Sequence, residues 1–159
     1  MATQDAINAA RFAYAAYDAF LAGVAQEMGM ERTLALQAKA MESMGVAQGQ
    51  MLKEQTGIEQ ADAQTVYAVL SQMLDGIGFI TEVLEAGPQR IAFKAGQCPI
   101  FEAAQVVGFD RATVEAICRS GGICFMDAVT RQLNPNLCYR LHAFRSSADD
   151  ACVEEIVVA

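Results

Sequence analysis

Apolar side chains recur every three or four positions through the first part of the chain. Ile7, Phe12, Tyr14, Tyr17, Phe20, Leu21, Val24 and Met28 form one such series, which stops at Gly29. That spacing brings side chains back to one side at each helical turn, so it predicts an amphipathic helix up to the glycine. A second helix is predicted over about 31–55, carrying Leu34, Ala38, Met41, Met44 and Leu52, with Thr56-Gly57 as its stop. A third, over 61–75, lines up Val66, Val69, Leu70, Met73 and Leu74. After Gly76-Ile77-Gly78 the period changes. Residues 79–85 and 89–94 are short and favour strand, and they flank Ala86-Gly87-Pro88, which predicts a β-hairpin. Helical spacing resumes behind Asp110, a capping residue, with Val114, Ile117 and Cys118, and closes at Gly121-Gly122. A further helix over about 123–133 meets Asn134-Pro135. Residues 137–145 and 151–158 are extended runs around Ser146 to Asp150, a second hairpin.

The order is three helices, a hairpin, two helices and a hairpin. It predicts the α+β class: an N-terminal helical layer packed on an antiparallel sheet made from two hairpins. The chain is 159 residues long, which suits one domain, 1–159, with a helical half at 1–78 and a cysteine-bearing α+β half at 79–159. The Ala- and Met-rich helices of the first half carry apolar residues on more than one side, more than one small sheet would cover, so a homodimer through them is expected.

Composition narrows the function. Eleven basic residues against nineteen acidic ones leave a net charge of −8, and no stretch clusters Lys or Arg, so no nucleic-acid footprint is present. Apolar runs are broken well before the ~18 residues a membrane span needs. The opening residues lack the pattern of a secretory signal, and with five cysteines this points to a reducing, cytoplasmic setting. No P-loop, dinucleotide glycine fingerprint, nucleophile-elbow serine, HExxH or CxxC occurs. A single His excludes a multi-histidine metal site within one subunit.

The candidate chemistry therefore rests on Cys98, Cys118, Cys124, Cys138, Cys152 and His142, all in the second half. Cys138 and His142 lie four residues apart on a strand, ~13 Å, too far to act together. Folding the last hairpin about Ala148 instead sets Cys152 across from residues 142–144, making His142, Cys152 and Glu154 neighbours. A thiol beside an imidazole suits a nucleophile with its base, or two metal ligands; a buried thiol and a hydrogen-bonded histidine are the structural alternative. Cys118 and Cys124 suit helix packing, and Glu102 and Glu115 are nearby carboxylates.

Cys98-Pro99, the downstream Cys118, Leu133-Asn134-Pro135-Asn136-Leu137 and the ending from Ser147 to Glu154 resemble the L-2-amino-thiazoline-4-carboxylic acid hydrolase-like family. The helical front from Arg11 to Gly57, with Tyr17-Asp18 and Glu27-x-Gly29, is similar to further members, so the likeness covers most of the chain. The family resembles the four-vinyl-reductase-type small-molecule-binding domains and, in fold, the transport-protein-particle (TRAPP) subunits. The resemblance implies helices packed on an antiparallel sheet, a pocket between them, and dimerisation. The activity it implies adds water at the amidine carbon of a thiazoline and opens the ring to an N-carbamoyl-cysteine. On that reading Cys98 or Cys152 is the nucleophile, His142 shuttles protons, and Arg140 or Arg145 anchors the substrate carboxylate. The domain relatives instead bind a small apolar ligand and hold zinc through cysteines plus a Glu. Zinc is thus the candidate cofactor, with Cys98, Cys118, Cys152 and His142 as candidate ligands. The Glu-x-x-Cys expected for zinc does not match, because Leu141 and Phe144 stand at those positions. The alternatives to catalysis are a small-molecule- or metal-binding module and a dimeric interaction scaffold.

Overall fold

Two long helices open the chain because each begins and ends on residues built for helix termini. The computed structural model describes residues 2–58 and 60–159. Helix α1 (Gln4–Met28) is capped by the Thr3 hydroxyl, which accepts from the Ala6 amide. Gly29 separates it from α2 (Met30–Thr56), and α3 (Ala63–Asp75) starts on the Asp62 carboxylate, which accepts from the Thr65 amide at 2.8 Å. Strands β1 (Thr81–Ala86) and β2 (Arg90–Ala95) form the first hairpin, as expected.

Helix α4 (Pro99–Val107) is not among the elements that the spacing predicts. Its signals are subtle: Cys98 serves as the cap, its Sγ accepting from the Phe101 amide at 3.4 Å, and Pro99 stands at the first helical position, where no amide donor is needed. Helix α5 (Arg111–Cys118) starts on Asp110 as expected. The stop expected at Gly121-Gly122 does not occur. Residues Arg119–Ile123 form a π turn, and α6 (Cys124–Leu133) continues from it without a break. Two glycines can end a helix, but here tertiary packing holds them inside one. A Cβ built on Gly121 would lie 2.5 Å from the Gln37 amide nitrogen, so α2 reaches this turn only because the side chain is absent.

Strands β3 (Leu137–Ala143) and β4 (Cys152–Val158) form the second hairpin. Its loop is tied by Asp150, whose carboxylate accepts from the Ser146 amide and hydroxyl and from the Ala151 amide; those bonds hold it down to about 2. The four strands run in the order β1-β2-β4-β3, all antiparallel. One face carries Ile91, Phe93, Tyr139 and Ile156 into the main core against α3 and α6. Helix α2 lies on α6 at very short range, since a Cβ on Gly45 would sit 2.5 Å from the Phe125 carbonyl oxygen and one on Gly49 2.6 Å from Gln132 Cβ. The outcome is α+β, a helical layer on a four-stranded sheet. Among the described residues no helix is long and apolar enough to cross a membrane.

Candidate functional site

Between α1 and α2 on one side and the inner face of the sheet on the other lies a cavity of 370 Å³. Its lining is mostly apolar, including Met41, Phe79, Ile100, Ile123, Phe125 and Leu141. A largely apolar hollow of this size with few polar groups is the usual form of a small-molecule site.

The sheet wall carries Arg145, just beyond β3 and only 2% exposed. A buried guanidinium needs acceptors, and the end of β2 supplies them. Its Nη2 donates to the carbonyls of Ala95 and Gly96, each at 2.7 Å, and its Nε donates to Cys152 Sγ at 3.5 Å. The guanidinium also lies over the Phe101 ring, 4.6 Å from its centre. Beside it Glu154 accepts a hydrogen bond from the Tyr139 hydroxyl. Burial raises the Glu154 carboxyl, while that bond and the Arg145 charge pull it back; burial and the Glu154 charge push the Tyr139 phenol well above its usual range.

The helical wall is different. Asp18 of α1 is 1% exposed, lines the cavity, and has an Oδ2 with no hydrogen-bond partner. Loss of hydration alone pushes it up to about 6. Tyr14 and Tyr17 flank it along the same helix and line the cavity too. Gln37 of α2 is tied down on both ends of its amide: Nε2 donates to the Ile117 carbonyl and Oε1 accepts from the Ser120 hydroxyl at 2.8 Å.

A protein-family model described as L-2-amino-thiazoline-4-carboxylic acid hydrolase matches residues 7–142, most of the chain and nearly all the elements that enclose the cavity. The chain belongs to that family. No curated protein matches it. Among solved structures, the crystal structure of the phenol-responsive sensory domain of the transcription activator PoxR with phenol is similar, with a TM-score of 0.63 and 14% identity. The likeness covers 91% of this chain and 74% of that one, and shows a shared fold.

In this member of the thiazoline-carboxylate hydrolase family the sequence candidates part company. Cys98, Cys118, Cys152 and Arg145 all line the cavity. His142 and Arg140 do not: both are exposed and point to the outer face of the sheet. The expected His142–Cys152 pairing fails on register. Leu141 stands opposite Glu154 on the inner face, so the next residue, His142, turns outward, and a bulge between Leu141 and Ala143 leaves it unpaired. Cys152 stands opposite Ala95 of β2 instead. Burial holds Cys98 up at about 12 and raises Cys118 as well, so neither is poised as a thiolate. Cys124 and Cys138 donate to backbone carbonyls, Ala38 and Val157. Glu102 pairs with Arg11 and Glu115 with Arg119.

Zinc does not fit these side chains. Cys98 caps a helix, Cys152 sits against a guanidinium that would repel a metal cation, and His142 faces away. Among the described residues no group of three or more His, Cys, Asp or Glu could hold a metal ion.

Asp18 is not among the candidate site residues that the sequence points to, although Tyr17-Asp18 is part of the family likeness. Its signal was present: a carboxylate inside the apolar series Tyr14, Tyr17, Leu21, where helical period reserves the buried side.

Proposed function

We propose that this chain hydrolyses a small cyclic organic acid of the thiazoline-carboxylate kind, bound in the cavity with its carboxylate against Arg145. The observation that carries the proposal is a buried guanidinium in a largely apolar, ligand-sized hollow. Arg suits a planar carboxylate, and Nη1 remains after Nε and Nη2 are spent on Cys152, Ala95 and Gly96. Family membership supplies the reaction. Water adds to the amidine carbon, the ring carbon–sulfur bond breaks, and the freed sulfur takes the proton, leaving an N-carbamoyl-cysteine. With His142 outside and Cys98 held protonated, direct addition of water replaces the thiol–imidazole route.

The test is incubation with L-2-amino-thiazoline-4-carboxylate, following the new thiol with a chromogenic reagent and the product by mass spectrometry. Accumulating N-carbamoyl-cysteine is the expected result. A second reading, ligand binding without turnover, is favoured by the same absence of a thiol–imidazole pair; phenol, present in the PoxR structure, is its natural second ligand. Calorimetric binding with no product would select it, and no binding of either compound would overturn both.

The assembly proposed is a homodimer through α1 and α2, where Phe12 and Phe20 are 78% and 65% exposed and Leu36 and Met51 stand clear of the core. Sedimentation reporting a monomer at micromolar concentration would refute it. The five free thiols support a reducing, cytoplasmic setting.

A further inference from the structure

One buried polar atom in the cavity is left without a partner: Oδ2 of Asp18, on α1. An ionised carboxylate is acceptor-only, so whatever completes this site must donate to it. Among the described residues no cation is supplied there. Arg145 is committed on the sheet wall, and no charged group counts among the influences on Asp18, whose burial acts unopposed. Arg11, on the same helix, is engaged with Glu102 of α4. The neighbouring side chains along the wall are the phenols of Tyr14 and Tyr17 and the amide of Gln37, which is occupied by Ile117 and Ser120. Placing a lone carboxylate in an apolar wall costs folding free energy, and a bound cation with N–H donors would recover it through charge-assisted hydrogen bonds.

We infer that Asp18 forms a subsite for a cationic N–H group of the ligand, an amidinium or a protonated amine. This rests on the reading that the cavity takes a small cyclic organic acid, and it makes the ligand two-ended: anion toward Arg145, N–H cation toward Asp18. Asp18 is then a specificity-determining residue, selecting amino-substituted rings over their unsubstituted analogues.

Three compounds separate the two ends: 2-aminothiazoline-4-carboxylate, thiazoline-4-carboxylate without the amino group, and 2-aminothiazoline without the carboxylate. Calorimetric titration of the wild-type protein should show at least a tenfold preference for the first over the second, equivalent to about 1.4 kcal/mol. Asp18→Asn, nearly the same shape, should weaken both amino-bearing compounds at least tenfold and leave thiazoline-4-carboxylate within twofold. Equal affinities for the amino-bearing and amino-free carboxylates in the wild type would overturn the inference whether or not the variant folds. So would failure of 2-aminothiazoline to bind the wild type, or an Asp18→Asn loss shared equally by all three. If 2-aminothiazoline binds through Asp18 while neither carboxylate binds, the subsite stands and the anion reading falls. Phenol weakened by Asp18→Asn as strongly as 2-aminothiazoline would show a neutral-donor site and overturn the cationic assignment.

Discussion

The two walls of the cavity treat polarity in opposite ways. On the sheet side, Tyr139 is bonded to Glu154, and beside them Arg145 is bonded to Cys152 and to the carbonyls of Ala95 and Gly96. On the helical side, Asp18 is as deeply buried but one of its oxygens meets nothing. A satisfied network rigidifies its wall and is part of the fold. An unsatisfied carboxyl weakens its wall, and such strain persists where it serves binding. The difference separates structure from recognition inside one hollow.

That contrast breaks most severely at Arg145. Arg145→Leu strips two backbone carbonyls and a thiol of their donor and leaves Glu154 without its neighbouring cation, so denaturant unfolding should register a loss of about 3–5 kcal/mol. Gly45→Ala asks how firmly the helical wall is pinned. Its methyl would meet the Phe125 carbonyl oxygen, a backbone atom that cannot rotate aside, and α2 must lift from α6 at about 1–3 kcal/mol, read from the same unfolding curves.

Asp18→Asn should act in the other direction. The folded carboxyl sits at about 6 against an ordinary value of 3.8, so ionisation favours the unfolded chain. Below the ordinary value there is no penalty; it grows as pH rises toward 6 and is constant above. Asp18→Asn should therefore stabilise the free protein by about 1–2 kcal/mol at pH 8, with the gain gone by pH 3.5, as thermal melts across that range would show. The smallest effect belongs to His142→Ala, on the outer face: less than about 0.5 kcal/mol in stability, and no change in the alkylation rate of Cys152 measured by mass spectrometry. A slowed Cys152 in that variant would contradict the register.

Much of this architecture was legible in the residues. Period and caps placed α1 to α3, both hairpins and the Asp110 start, because those signals are local. Helix α4 escaped because its cap is a cysteine, a residue whose usual reading is chemistry rather than helix initiation. The His142–Cys152 pairing fails for a different reason. Turn length alone set the expected hairpin register, whereas the face of each strand is fixed by which residues fill the core, here Leu141 opposite Glu154. The cavity could be seen only as a family expectation. Cys98, Cys118, Cys152 and Arg145 reach it from separate segments, and no spacing rule links them to Asp18 across the molecule.

The π turn at Arg119–Ile123 sets a rule for how this part of the chain can vary. One residue more or fewer in a helix rotates everything beyond it by about 100°. The π turn, bonded i→i+5 rather than i→i+4, takes up one such extra residue locally, so α5 and α6 stay in phase across it. Ile117 and Cys118 before the turn and Ile123 and Met126 after it therefore line the same cavity. A single-residue deletion here that restores ordinary helix should be absorbed with α6 kept in phase, whereas any side chain at Gly121 would collide with Gln37.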